Sequence, residues 1–478
     1  MERLYWNNDW KFAETWEEAM KEAVYPENEM EDVRLPHTCK ELPYHYFDEH
    51  AYQMLCGYRR HFMAPEAWQG KSVELTFEGV AHDAVVYVNG TEVKAHHCGY
   101  TAFSVELAKY LKYGEDNVLA VRVDSRENLN IPPFGYAIDY MTFGGMYREV
   151  YVQVRNKTHL ADVFVKSQIH PLQVTTEITV QNISDGITLQ QEIRKKGEGA
   201  YSPLGQKPVK QANVQTVFPV QEICLWEPEN PHLYEIRTSL WKNGEMIDAR
   251  VDITGFREAG FRKDGFYLNG KKLRLRGLNR HQSYPYVGYA APASMQIFDA
   301  DILKKELGVN AVRTSHYPQS QDFIRRCDEI GLLVFTEFPG WQHIGDEAWQ
   351  AQALQNCREM VCQCRNHPSV FLWGVRVNGS SDNEAFYKRT NEAVHRLDPT
   401  RPCIDSSGNY RVLSEVYDIH DYDQDTQSFQ ARWDGLTDRI RETGGVIPAE
   451  DPFFNSAPEG PSGRAPFFNQ PYDNQPIF

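Results

Sequence analysis

The chain has 478 residues, with 50 Lys or Arg against 66 Asp or Glu and a formal net charge of −16. Apolar residues make up 41% and charged residues 24%, with 26 Tyr, 24 Phe and 10 Trp. That composition excludes a disordered or fibrous chain and leaves room for about three domains. An acidic balance without a Lys/Arg run argues against a nucleic-acid partner, and no stretch approaches the ~18 consecutive apolar residues of a membrane span. The opening MERLYWNNDWKF has neither a basic n-region nor an apolar core, so a cytoplasmic location is the expectation. The nine cysteines are scattered, without paired C-x-x-C spacing, and read as free thiols in a reducing compartment with no structural zinc.

Residues 1–157 read as short alternating strands, among them Val73 to Phe77, Asp83 to Val88, Asn117 to Val123 and Tyr147 to Val154. Asn89-Gly90 between two such runs signals a hairpin, because both turn residues must tolerate positive φ. Helical periodicity is nearly absent, which points to a jelly roll. Residues 158–256 are again β-rich, with strands such as Thr176 to Val180 and Leu233 to Leu240, at a size suited to an immunoglobulin-like sandwich.

From 257 to 478 the texture changes, and short apolar runs alternate with amphipathic stretches as in a parallel (β/α) barrel. The expected strands are Leu273 to Leu278, Val309 to Arg313, Leu332 to Glu337, Val370 to Val377, Pro402 to Ser406 and Val416 to His420. Helical patterns cover 294–307, 319–330, 346–365, 384–397 and 428–442. A whole barrel takes about 250 residues, more than follow position 257, so the third domain is expected to be an incomplete barrel.

Active sites of such barrels lie at the C-terminal ends of the strands. Here those ends carry Asn279-Arg280-His281, Ser315-His316-Tyr317-Pro318, Glu337 with Trp341 and His343, Asn378-Gly379, and His420-Asp421-Tyr422. Hydrogen-bonding groups for hydroxyls beside aromatic faces for the C–H side of a pyranose describe a carbohydrate cleft. A metal site built from His281, His316, His343 and His420 lacks the spacing that places two ligands on one helix. No G-x-S-x-G elbow supports a Ser-His-Asp nucleophile.

At these residues the chain resembles glycoside hydrolase family 2, the β-galactosidases, β-glucuronidases and β-mannosidases. The first region shares Trp10-Lys11-Phe12, Leu35-Pro36-His37, Val88-Asn89-Gly90 and Gly144-Gly145-Met146-Tyr147-Arg148. The Trp226 to Tyr234 stretch and Gly255-Phe256-Arg257 follow, leading into Leu268-Asn269-Gly270-Lys271. The barrel carries Arg276 to His281, Arg313 to Pro318 and Arg365-Asn366-His367-Pro368-Ser369.

The resemblance implies a jelly roll, an immunoglobulin-like domain and a barrel, acting on an oligosaccharide or a β-galactoside by a retaining mechanism. By the same resemblance Asp139 reaches from the first domain to the sugar, His281 and His316 contact the glycone, and Asn378 holds the 2-hydroxyl. Glu337, Trp341, His343 and His420 join them as substrate-binding candidates, with Trp341 walling the pocket. Some members place a magnesium ligand at the position of His343, but Trp341 stands where the accompanying glutamate belongs, so no metal or other cofactor is expected. Association into a homo-oligomer is also expected.

Two departures bear on catalysis. The family's acid/base is the glutamate of an Asn-Glu pair, and this sequence has Asn378-Gly379 there. Asp382 and Glu384 lie nearby but have no reason to point inward. The nucleophile ends the seventh strand, and Gln475 to Phe478 resembles only the lead-in to it. The expectation is a family 2 β-glycosidase by descent, most nearly a β-galactosidase, that does not catalyse in this form. A non-catalytic carbohydrate-binding or assembly protein is the alternative.

Overall fold

In the computed structural model the described residues are 3–44, 48–135, 138–262, 264–381, 383–405, 416 and 417. The first region packs two antiparallel sheets. One has the order Leu4–Tyr5, Val150–Arg155, Ser72–Phe77, Phe103–Glu106; the other runs Glu31–Val33, Trp10–Ala13, Leu55–Met63, Asp116–Asp124, Asp83–Val88, Thr91–His96. Val73, Leu75 and Phe77 alternate along one strand and all lie buried between the sheets, as a period of two requires. Phe77 pairs with Phe103 across the ladder, and their rings stack 4.9 Å apart. The Asn89-Gly90 turn forms as expected, with both residues at positive φ and Val88 paired to Thr91.

The second region is a smaller sandwich. Three strands, His159–Ile169, Leu172–Gln181 and Asn213–Pro219, face four, Ser202–Pro208, Ile187–Lys195, Tyr234–Lys242 and Glu245–Thr254. Leu160, Val163, Ile178, Leu189, Ile236 and Leu240 fill the space between them.

The third region is a parallel sheet in strict chain order: Gly277–Asn279, Ala311–Thr314, Leu333–Glu337, Val370–Gly374, Cys403–Asp405 and Val416–Tyr417. Helices α1 (Ala293–Asp301), α2 (Gln321–Ile330), α3 (Glu347–Cys364) and α4 (Glu384–Leu397) lie between its strands. Their starts are set by short polar side chains: Ser320, Asp346 and Asn383 each accept a hydrogen bond from a first-turn N–H of α2, α3 and α4. Every residue of Leu333–Glu337 and of Val370–Gly374 is buried, because helices on one face and the barrel interior on the other leave a parallel strand no wet side.

The first barrel strand differs from its expected span. Lys271–Lys272 closes a small antiparallel sheet with Ala259–Arg262 and Gly265–Leu268, and Leu273 N–H donates to Phe266 O. Leu273 and Leu275 pack with Phe266, Leu268 and Phe371 beneath the barrel, so parallel pairing begins only at Gly277. The apolar alternation there serves a plug under the barrel instead of a longer strand. His420, the helical pattern 428–442 and Gln475 to Phe478 lie outside the described residues. The nine cysteines are thiols, with no disulfide among the described residues.

Buried polar joints hold the three regions together. Arg148 Nη1 donates to Glu78 O and Tyr100 O at 3.2 and 3.1 Å, while its Nη2 donates to Gln282 Oε1 and Pro318 O at 3.0 and 3.1 Å, the first two in the jelly roll and the last two in the barrel. Trp349 Nε1 of α3 donates to Phe134 O at 3.1 Å. On the other side, Asn366 accepts from Val165 N–H and donates to Val163 O, at 2.9 and 2.8 Å, extending the sandwich ladder into the barrel. Arg257 donates to Pro368 O and Val370 O at 2.5 and 2.6 Å.

Near the first joint Glu78, Glu149 and Asp322 converge to within 4.8 Å. Glu78 pairs with Arg3 and Asp322 with Arg325. Glu149, part-buried against the other two carboxylates, is pushed from 4.5 up to about 7, by burial first and then by the charge of Glu78 and Asp322. A raised carboxyl pKa means that the folded state holds the proton more tightly, so this group's contribution is complete below pH 4.5 and is lost as pH rises through about 7. Thermal unfolding between pH 4 and 8 checks this: relative to Glu149→Gln, the unsubstituted protein loses stability across that window. Parallel curves for the two proteins would refute it.

Candidate functional site

In-step parallel pairing carries the ends of neighbouring strands to one rim. Arg313 lies beside Phe335, and Glu337 beside Gly374. Beyond the strand ends, the backbone of Trp341 bridges that of Asn378, and Gln342 N–H donates to Asn378 O at 2.9 Å. The loops after the third and fourth strands are thereby tied to each other.

Glu337 stands at the centre of this rim, 1% exposed. Arg313 Nε donates to its Oε1, and His316 Nδ1 lies 3.0 Å from its Oε2. Arg313 Nη2 also donates to Asn378 Oδ1 at 3.1 Å, so a single guanidinium orients both a carboxylate and the amide after the next strand. Burial opposes charge on Glu337, but Arg313 and His316 outweigh it and hold the carboxyl down at about 2. Such a group is an anion throughout the physiological range and has no proton to transfer; it orients His316.

Rings line the remaining wall. Trp341 lies 4.9 Å from His316, tilted by 40°, and His281 lies 5.9 Å from His316. Tyr140, delivered by the jelly roll, sits 5.2 Å from His281 and 6.0 Å from His316. Its hydroxyl is buried, with no partner among the described residues. Asp139 beside it is exposed at the lip of the mouth. Partial burial raises its carboxyl above the usual range, and the charge of His316 works against that rise. His281 reaches solvent on one side, yet partial burial and then His316 lower it to about 4.

Of the expected residues, Asp139, His281, His316, Glu337, Trp341 and Asn378 thus share one connected rim, with Gly379 beside Asn378. The ring of His343 is turned onto Trp349, 5.8 Å away, and onto Gly135. A Cβ at Gly135 would fall 2.0 Å from the His343 ring, so this histidine packs in the seam between jelly roll and barrel. Gly379 has φ +69 and would bring a Cβ to 3.1 Å from Gln342 Cγ. That left-handed backbone disfavours an L side chain by roughly 1 kcal/mol. Glu384 opens α4 as its first residue; Asp382 lies outside the described residues.

Tyr140 belongs to the site without a signal in the sequence, while Arg313 and Tyr317 stand in a strand-end motif that by itself assigns neither a role. Arg313 did leave a signal, since a charged residue in the strand Ala-Val-Arg-Thr has to find a counter-charge inside. Tyr140 left none, because only docking of the jelly roll brings it to the barrel. For metals, the cluster of three close carboxylates among the described residues is Glu78, Glu149 and Asp322, none of them a residue of this rim. No described helix is long and apolar enough to cross a membrane.

Glu337→Gln would take a buried counter-charge from both Arg313 and His316, and the expected loss is about 3 kcal/mol of stability. Urea unfolding measures it directly. A variant as stable as the parent would show that the pair does not organise the rim.

Comparison with known proteins covers nearly all of these elements. Residues 35–155 match the sugar binding domain of glycosyl hydrolases family 2, residues 158–257 match the domain described as glycosyl hydrolases family 2, and residues 260–434 match that family's TIM barrel domain. A β-galactosidase of Thermoanaerobacter pseudethanolicus is 45% identical over 87% of this chain and 57% of its own length. A β-glucuronidase of Bacteroides fragilis is 32% identical over 76% of the chain and 56% of its own. Among solved structures, Bacteroides uniformis β-glucuronidase 2, covalently bound to cyclophellitol-6-carboxylate aziridine, superposes with a TM-score of 0.80 at 26% identity, over 92% of this chain and 58% of that one. The chain therefore spans a little over half the length of these relatives.

Proposed function

This chain belongs to glycoside hydrolase family 2, and from that premise we propose that its barrel mouth binds the sugar of a β-glycoside, with β-galactosides as the preferred class. The observation that carries this reading is the single rim on which Asp139, His281, His316 and Asn378 stand around the Trp341 ring. Hydroxyls would meet the carboxylate, imidazole and amide groups, and the apolar face of a pyranose would lie on the indole. The lean toward galactose rests on the β-galactosidase relative at 45% identity.

The chemistry of a retaining glycosidase needs one carboxyl group to protonate the leaving oxygen and a second to attack the anomeric carbon. In our reading Gly379 occupies the first position and donates nothing. Glu337 does not replace it, being locked as an anion by Arg313 and His316. Loss of a general acid lowers turnover by about 10²- to 10⁴-fold, so this chain acts on its sugars chiefly by binding them. That is also the specific ground for the second reading, a carbohydrate-binding protein without catalysis.

Calorimetric titration with galactose, glucuronate and mannose tests the binding, with millimolar or tighter affinity expected for galactose and weaker affinity for the others. Absence of binding by all three would overturn the proposal. Purified chain incubated with nitrophenyl β-galactoside is expected to show no hydrolysis above background. Brisk turnover would overturn the reading of this chain as one that binds its sugars without cleaving them.

A further inference from the structure

We propose that Tyr317 is a positioning residue that holds His281 in the tautomer protonated on Nε2, so that His281 presents an N–H donor to the sugar. The inference deepens the sugar-binding reading and depends on it only for the ligand.

Tyr317 follows His316 just beyond the second barrel strand and is fully buried. Its ring stacks on Tyr100 of the jelly roll at 4.3 Å and 12°, and meets Tyr289 at 5.6 Å and Tyr140 at 5.4 Å. The hydroxyl therefore has a fixed place. Its oxygen lies 3.1 Å from His281 Nδ1 and 3.4 Å from the backbone nitrogen of Gln282. A backbone N–H only donates, so the phenol oxygen accepts there and its own proton is directed to the acceptor opposite, His281 Nδ1. With the proton on Nδ1 instead, the phenol oxygen would receive two donors, and its own hydrogen would have to turn from the 3.1 Å contact with His281 to the Tyr289 hydroxyl.

Two further observations agree. Burial keeps the phenol protonated, and His281, lowered to about 4 by burial and then by His316, is neutral at pH 7 and so carries one N–H whose place matters. His316 is held in the opposite sense, with its Nδ1 turned to the carboxylate of Glu337, which requires a proton on that nitrogen. The two barrel histidines are thus oriented by opposite partners, a phenol that donates and a carboxylate that accepts. At His281 the ligand atom must be an acceptor, such as a hydroxyl oxygen.

The experiment uses the full chain with ¹⁵N-labelled histidine rings, His281 being assigned by the signals lost in His281→Gln. Long-range proton–nitrogen correlations at pH 7 are expected to show His281 with a protonated Nε2 and a bare Nδ1. In Tyr317→Phe, which keeps the stacked ring, those signals move toward a mixture of tautomers, and galactose affinity falls about three- to tenfold. A proton on Nδ1 in the unsubstituted protein, or an unchanged tautomer in Tyr317→Phe, would overturn the assignment. If Tyr317→Phe does not fold, the spectrum of the unsubstituted protein decides by itself. Failure of galactose to bind while the Nε2 proton is in place would count against the sugar reading and leave the tautomer standing.

Discussion

The carboxylate of Glu337 is the constraint around which the barrel mouth is arranged. It ends a strand with no wet face, so its charge survives only because Arg313 and His316 answer it from the neighbouring strand and the loop beyond. Removing either partner from a buried charge is worth several kcal/mol, and the two strands are therefore held in one relative register at their ends. Arg313 extends the same constraint to Asn378, and Asn378 bridges Trp341. The His316 ring and the Asn378 amide thus take their orientation from one buried ion cluster, and the Trp341 backbone is tied to the Asn378 loop. Its function is positional: a carboxylate spent on organising its neighbours has none of the proton-exchange freedom of an acid catalyst.

A second set of constraints lies in the seams between domains. Several sequence patterns shared with the family turn out to be joints more than chemistry. Arg148 joins jelly roll to barrel through four carbonyl or amide oxygens, and Asn366 continues the sandwich ladder into the barrel. The purpose of such rigidity is visible at the mouth, where Asp139 and Tyr140 belong to one domain and His281 and His316 to another. Buried hydrogen bonds whose partners would be orphaned on separation hold such a composite site more rigidly than apolar contact alone.

How much was legible in the sequence depended on the range of the interaction. Strands Asp83 to Val88 and Leu332 to Glu337, the Asn89-Gly90 turn and helix α4 could be read because apolar runs, positive-φ residues and helical periodicity act within a few residues. The first barrel strand starts later than its alternation predicts, because Leu273 and Leu275 keep a strand's spacing while packing under the barrel. Arg313 could have been found by asking what balances a charge in an apolar strand. His343 read as a rim residue from its place after a strand, yet its ring went to Gly135 and Trp349. The direction of one side chain on a loop is decided by space that no local pattern encodes.

By itself the sequence determined the three-domain plan, the resemblance to the family, and the absence of a carboxyl group at position 379, since these follow from periodicity, from shared motifs and from residue identity respectively. Tertiary structure alone decided that Glu337 is an organising anion and no proton donor, that Tyr140 joins the site, and that Tyr317 meets His281. Each of these depends on groups far apart in the chain, in the case of Tyr140 on separate domains, being brought within hydrogen-bonding or ring contact, and on the burial that makes a charge or an N–H depend on its partner.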